Sequence, residues 1–123
     1  FNIDGTAIIR RTVDTVVSAG LGDVVLVLGN DTAGVLSACE GTGIQDIENQ
    51  TPWAGMGTSL ATGANAISED IEAFFVILGD MPFLKSETIP KWPLHSIHKV
   101  ETTLLSQFTM GGVDTLSCLQ KNI

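Results

Sequence analysis

Phe74-Phe75-Val76-Ile77-Leu78-Gly79-Asp80-Met81-Pro82 decides the fold class. Five apolar residues run straight into Gly-Asp, the pattern of a strand buried on both faces of a parallel sheet. Asp80 follows at the carboxyl end of that strand, the edge at which open α/β sheets bind ligands. Pro82 has no N–H to continue a ladder, so the strand stops there. A carboxylate that faces a crevice at such an edge is suited to holding a hard cation such as Mg2+ against a phosphate.

Upstream, helical and strand patterns alternate. Thr6 to Gly20 is expected to be a helix, with Ile9, Val13, Val16, Val17 and Leu21 on one apolar stripe and Gly20 and Gly22 ending it. Asp23 to Leu28 is a buried strand closed by Gly29-Asn30. Asp31 is the expected N-cap of a short helix through Cys39. Gly43 to Asn49 alternates apolar and polar residues, as an edge strand does. Gly55-Met56-Gly57-Thr58-Ser59 is a glycine-rich loop feeding a helix with Leu60, Ala64, Ile67 and Ile71 on one face, closed by Ser68-Glu69-Asp70. Helix, strand, helix, strand, helix, strand implies an α/β fold with a mainly parallel sheet and right-handed crossovers. Composition changes near Pro90, which separates residues 1–89 from a tail, 90–123, with weak apolar patterning.

The chain has 123 residues and is 44% hydrophobic, enough for one domain and one core. Mean hydropathy is +0.31, and the longest apolar runs are strand-sized, so no membrane span is expected. Net charge is −8, which excludes the basic footprint of a nucleic-acid binder. An acidic chain that handles phosphates needs a metal ion or a few local cations. The opening Phe1-Asn2-Ile3-Asp4-Gly5 lacks a basic stretch followed by an apolar one, so no secretory signal is expected. Cys39 and Cys118 have no CxxC or zinc spacing and are read as reduced thiols of a cytoplasmic protein. His95 and His98 have no ligand partner at suitable spacing and are read as solvated; Arg10 and Arg11 as a solvated helix face; Trp53 and Trp92 as packing residues.

The glycine loop and Asp80 carry the chemistry. A loop that opens a helix offers free N–H groups and the positive end of the dipole. Glycines at 55 and 57 let a ligand approach the backbone. Taken alone, the loop reads as a well-capped helix start, with Thr58 or Ser59 as N-cap, and Asp80 as readily as a turn-former. Read together, about twenty residues apart and on one sheet edge, they describe a nucleotide cleft.

These residues resemble the MobA-like nucleotidyltransferases, and among them the molybdenum cofactor cytidylyltransferases. The resemblance runs from about Ile3 to Ile89. It is carried by Ile3-Asp4-Gly5, Arg11-Thr12-Val13-Asp14, Val24 to Gly29 and Asn49. Its most specific parts are Gly55 to Leu60 and Leu78-Gly79-Asp80-Met81-Pro82. The guanylyl branch usually has a Gly-Pro-Leu type loop instead. The resemblance implies a Rossmann-like three-layer α/β/α sandwich. It also implies transfer of CMP (or GMP) from CTP or GTP to a molybdopterin-type cofactor, with release of pyrophosphate and Mg2+ as cofactor. Asp80 would be the Mg2+ ligand and catalytic residue. Gly55, Met56, Gly57 and Ser59 would line the nucleotide or cofactor cleft, and Asn49 would contact ribose or base.

The family's opening signature, of the type L-A-A-G-x-S-x-R-M-G followed by Lys, is not found in this chain. On that reading the first strand and phosphate loop are missing, and the fragment is expected to be inactive. The family's later G-R-R-G-H-P-V-L-F segment is also not read directly. Joining the third base of each codon with the first two of the next, Thr109 to Gln120 can spell H-G-R-R-G-H-P-V-L-F-A. The reading frame is therefore expected to slip between Ile89 and Lys99, which makes residues 90–123 an out-of-frame tail. Two other readings stay open. A receiver-like signalling module would use a strand-end Asp, but it needs an acidic pair after its first strand and a Lys after a later one. A non-catalytic remnant would expose a sheet edge where the first strand should be.

Overall fold

The computed structural model describes residues 2–20, 22–71, 73–89, 100–105 and 117–120, the last two segments as backbone alone. A small antiparallel hairpin comes first, β1 (Asn2–Ile3) and β2 (Thr6–Ala7). Its two central residues, Asp4 and Gly5, both have positive φ, 48° and 79°. Asp-Gly at these positions is the preferred sequence for a tight hairpin. The hairpin takes Thr6 and Ala7 out of the expected helix, and α1 runs Ile8–Ala19. Gly20 ends it in the left-handed conformation, φ 66°, its N–H donating to Val17 O.

The remaining elements are β3 (Val24–Leu28), α2 (Thr32–Ala38), β4 (Gln45–Glu48), a single 3-10 turn at Pro52–Ala54, α3 (Met56–Ala66), β5 (Ala73–Leu78), β6 (Val100–Leu105) and β7 (Ser117–Gln120). Asp31 caps α2 through its side chain, which accepts from Gly34 N–H at 3.1 Å. Ser68-Glu69-Asp70 lies beyond the end of α3, which stops at Ala66 with Ile67 already extended.

One sheet carries the strands in the order β4-β3-β6-β5-β7. β4, β3, β6 and β5 are mutually parallel, and β7 joins antiparallel at the far edge. β4 lies at the other edge and is mostly exposed, as its alternating sequence implies. β6 occupies the centre, pairing with β3 on one side and β5 on the other. The sequence reading places residues 100–105 in the tail. Val100-Glu101-Thr102-Thr103-Leu104-Leu105 lacks the continuous apolar run that marks a central parallel strand. Trp92, His95, His98 and the region of the expected frame slip lie outside the described residues.

The strands' period of two divides the core. Val24, Leu26 and Leu28 of β3, with Phe75 and Ile77 of β5, pack against Val13 and Val16 of α1, with Cys39 and Ile89. Val27, Phe74 and Val76 point to the opposite face and meet Leu60 and Ala64 of α3, with Ile67 and Ile71. Helices therefore cover both faces, and each fully buried side chain of this kind contributes roughly 1.5–3 kcal/mol. The α1 stripe is shifted from the expected one: Val17 is 44% exposed, and Thr12 is fully buried beside Val13 and Val16. Among the described residues no helix is long and apolar enough to cross a membrane.

Arg10 and Arg11 do more than solvate α1. Arg10 pairs with Asp14 one turn on and donates to Glu40 O at 2.9 Å and Ala38 O at 3.4 Å, binding carbonyls at the carboxyl end of α2. Arg11 donates to Ile3 O at 2.8 Å and faces Asp4 at 3.6 Å, so it ties α1 to the hairpin. Its Nε is buried with no hydrogen-bond partner.

Candidate active site

Parallel strands send their carboxyl ends to one edge, and both candidate segments leave from it. Asn49 follows β4, and Gly79-Asp80 follows β5. Two strands, β3 and β6, lie between them. Three inter-strand spacings put the segments about 14 Å apart across the sheet.

Asp80 is half-exposed and lines two clefts. One, of about 570 Å³, lies between the start of α1 and the capped start of α2 and includes Ile8, Asp31, Gly34, Ala38 and Gly79. The other, of about 410 Å³, is formed by Asp80 and the turn after it, including Phe83, Lys85 and Thr88. Met81 and Leu84 pack on the core behind this turn, and Leu84 N–H donates to Met81 O at 3.1 Å. On the protein side, Thr12 Oγ1 of α1 is 3.0 Å from Gly79 O, the carbonyl of the peptide that leads into Asp80.

The glycine loop is braced from below by Asn49, which is 3% exposed. Its backbone N–H extends the β3–β4 ladder to Leu28 O at 2.9 Å. Its Nδ2 donates to Thr58 Oγ1 and to Ser59 Oγ, each at 2.9 Å, and its Oδ1 accepts from Thr51 N–H at 3.0 Å. Both amide hydrogens and the amide oxygen are thereby engaged within the loop. Thr58 Oγ1 also lies 2.7 Å from Gly55 O and 3.1 Å from Thr51 O.

Above this network the loop is open. The expected N-cap, Thr58 or Ser59, is replaced by Gly55, at φ 112° and ψ 169°, with no side-chain cap. That backbone region is essentially reserved for glycine. A Cβ built at Gly55 or Gly57 would meet nothing within 4 Å. Pro52 is buried, while Trp53 is 78% exposed, which corrects its reading as a packing residue. The 3-10 turn holds Pro52 in and turns the indole outward.

The six expected site residues thus fall into three placements. Gly55 and Gly57 are exposed at the loop, and Asp80 faces its clefts. Met56 is half-buried and packs on the core beside Val27 and Val76. Asn49 and Ser59 are buried beneath the loop. None of the loop residues lines either Asp80 cleft. Sequence reasoning missed Lys85 and Thr12: Lys85 lies five residues past Asp80 in no motif, and Thr12 sits in an otherwise apolar stripe.

Among the described residues no three His, Cys, Asp or Glu side chains gather to hold a metal. Asp80 on its open clefts, with Asp31 also lining the larger one, fits Mg2+, which takes one or two carboxylates and completes its octahedron with substrate phosphates and water. Cys39 is buried and free, at the carboxyl end of α2. Burial pushes its thiol above the ordinary value of 9.0, Arg10 opposes this, and Asp14 adds to it.

The sequence profile of the MobA-like NTP transferase domain matches residues 1–105. The bifunctional protein GlmU of Caldicellulosiruptor saccharolyticus is 33% identical over 70 residues, 57% of this chain and 15% of that protein. GlmU of Agrobacterium fabrum is 30% identical over 90 residues, 72% of this chain and 20% of that protein. The chain therefore spans a fifth or less of the length of these relatives. No solved structure matches it.

Proposed function

From the premise that this chain belongs to the MobA-like NTP transferase domain family, we propose that it is part of a Mg2+-dependent cytidylyltransferase. Nucleotidyl transfer from a nucleoside triphosphate is the family's chemistry. The finer reading is transfer of CMP, or GMP as the alternative, to the phosphate of a molybdopterin-type cofactor with release of pyrophosphate. The observation that carries it is Asp80, placed at the carboxyl end of β5 where it opens onto both clefts.

When bound, Mg2+ would supply positive charge to offset that which develops on the phosphates during nucleotidyl transfer. Asp80 is the residue to hold it. Lys85, sharing a cleft with Asp80, supplies a positive charge near the phosphates of an otherwise acidic chain. Gly55 and Gly57 give a substrate close access to backbone at the other end of the edge. The buried Asn49 and Ser59 support that end from below; a direct ribose or base contact by Asn49 would require its present hydrogen bonds to break. Arg10 and Arg11 are engaged with α2 and the hairpin, so the chain alone is proposed to bind nucleotide weakly and to be inactive.

The test is transfer of label from CTP or GTP to a molybdopterin-type acceptor with Mg2+. It is run on this chain and on a version extended ahead of Phe1 by the Gly-, Arg- and Lys-bearing signature. The extended protein should transfer CMP and release pyrophosphate, and Asp80→Asn should lower the rate by about 10²–10³-fold, the usual cost of removing a key electrostatic group. An extended, folded protein that turns over neither nucleotide sinks the proposal.

A further inference from the structure

Among the described residues three polar side chains are buried, Thr12, Asn49 and Ser59. Burying a hydroxyl or amide costs free energy unless a hydrogen bond compensates, so each position calls for a reason. Asn49 and Ser59 bond to each other beneath the glycine loop. Thr12 lies elsewhere, on the core face of α1 next to Val13 and Val16, where valine would satisfy the apolar pattern.

Other hydroxyls of the helices bond back to the carbonyl one turn earlier: Thr15 to Arg11 O at 3.0 Å, Ser18 to Asp14 O at 2.7 Å and Thr62 to Thr58 O at 2.8 Å. This is the ordinary habit of Ser and Thr inside a helix. Thr12 has that contact too, to Ile8 O at 3.2 Å, but Gly79 O is nearer, at 3.0 Å. A hydroxyl has a single proton to give. The shorter contact crosses from α1 to the end of β5 and meets the peptide joining Gly79 to Asp80. Because that peptide is planar, fixing its oxygen fixes the direction in which the chain enters Asp80.

We infer that Thr12 is a positioning residue for Asp80: its buried hydroxyl orients the Gly79–Asp80 peptide so that the carboxylate faces the metal and phosphates in the cleft. The inference rests on the proposed role of Asp80 as Mg2+ ligand. Thr12 touches neither metal nor substrate, and it acts only through the backbone.

The experiment measures Mn2+ affinity, with Mn2+ as a paramagnetic stand-in for Mg2+, by electron paramagnetic resonance with and without CTP. It compares the full chain with Asp80→Asn, Thr12→Val, Thr12→Ser and Thr12→Cys, all at a temperature where each is folded by circular dichroism. Asp80→Asn should abolish the binding. Thr12→Val should weaken it about five- to tenfold, the factor that one hydrogen bond of ordinary strength represents. Thr12→Ser, which keeps the hydroxyl, should restore it, and Thr12→Cys, a weaker donor, should fall between. Should Thr12→Val not fold, the Ser-to-Cys comparison decides alone. If Asp80→Asn abolishes binding while the Thr12 variants bind like the parent, the positioning role is wrong and Asp80 keeps its role. If Asp80→Asn binds Mn2+ like the parent, Asp80 is not the ligand and both ideas fall.

Discussion

At Gly79-Asp80 the backbone meets one hydroxyl from a residue 67 positions away, Thr12. At Asn49–Ser59 a buried amide meets three groups that all lie within ten positions of it. Both segments leave the same sheet edge, yet one is held at long range and the other by its own neighbourhood. The glycine loop can take its shape once β4 and α3 are joined. The Asp80 turn takes its shape only after α1 has docked against β5. Local contacts close early and at low entropic cost, long-range ones late. The site therefore pairs a self-contained platform with a carboxylate whose aim depends on the packing of the rest of the fold.

The sharpest way to break the comparison is to loosen the shared core. Phe75 is fully buried between α1 and the sheet. Phe75→Ala should cost about 3–5 kcal/mol in urea unfolding, and Asp80-dependent metal binding should fall before the loop loosens. Asn49→Ala should come next. It strands Thr51 N–H and removes the donor to two hydroxyls, so a loss of about 1–3 kcal/mol is expected in the same experiment. If Asn49→Ala also weakens Mn2+ binding in the absence of CTP, the two halves are not independent.

A finer contrast lies inside the loop. Gly55→Ala places a side chain at φ 112° and should destabilise by about 1–3 kcal/mol, although there is room for the methyl group. Gly57→Ala, two residues on and inside α3, also meets open space and should stabilise by about 0.5–1 kcal/mol. Thermal melting of the pair should give opposite signs. The smallest effect is at Cys39. Its thiol is held protonated by burial, so its contribution to stability is complete below about pH 9 and declines as pH rises through the raised folded value. In a Cys118→Ser background, iodoacetamide at pH 8 should label Cys39 slowly in the native chain and quickly in urea.

Much of this architecture was legible in the residues. Val24 to Leu28 and Phe74 to Leu78 announced themselves as buried strands because both faces are covered and the apolar run is unbroken. Asp31 announced a cap, and Gly43 to Asn49 an edge strand, because those features are local. The hairpin at Asp4-Gly5 was also spelled out, but the apolar periodicity of α1 overran it. Thr12 was hidden because its partner is set by tertiary packing. Trp53 was hidden because exposure depends on how the 3-10 turn faces, which Pro52-Trp53-Ala54 does not encode in its pattern. β6 was hidden because Val100 to Leu105 carries Glu101, Thr102 and Thr103 in place of an unbroken apolar run, and its neighbours β3 and β5 supply the apolar character of the centre. The family profile extends through Leu105, beyond the boundary drawn at Pro90.

The strand order has a consequence for synthesis on the ribosome. β3 and β5 do not pair with each other; β6 joins them, and it emerges after both. Until residue 105 has left the exit tunnel, two strongly apolar strands are displayed with unpaired inner edges, the arrangement most prone to pairing with a neighbouring chain. Among the described residues the keystone of the sheet is thus the last of its parallel strands to be made, and a pause in translation between the codons of Leu78 and Val100 would prolong the interval in which those edges stay open.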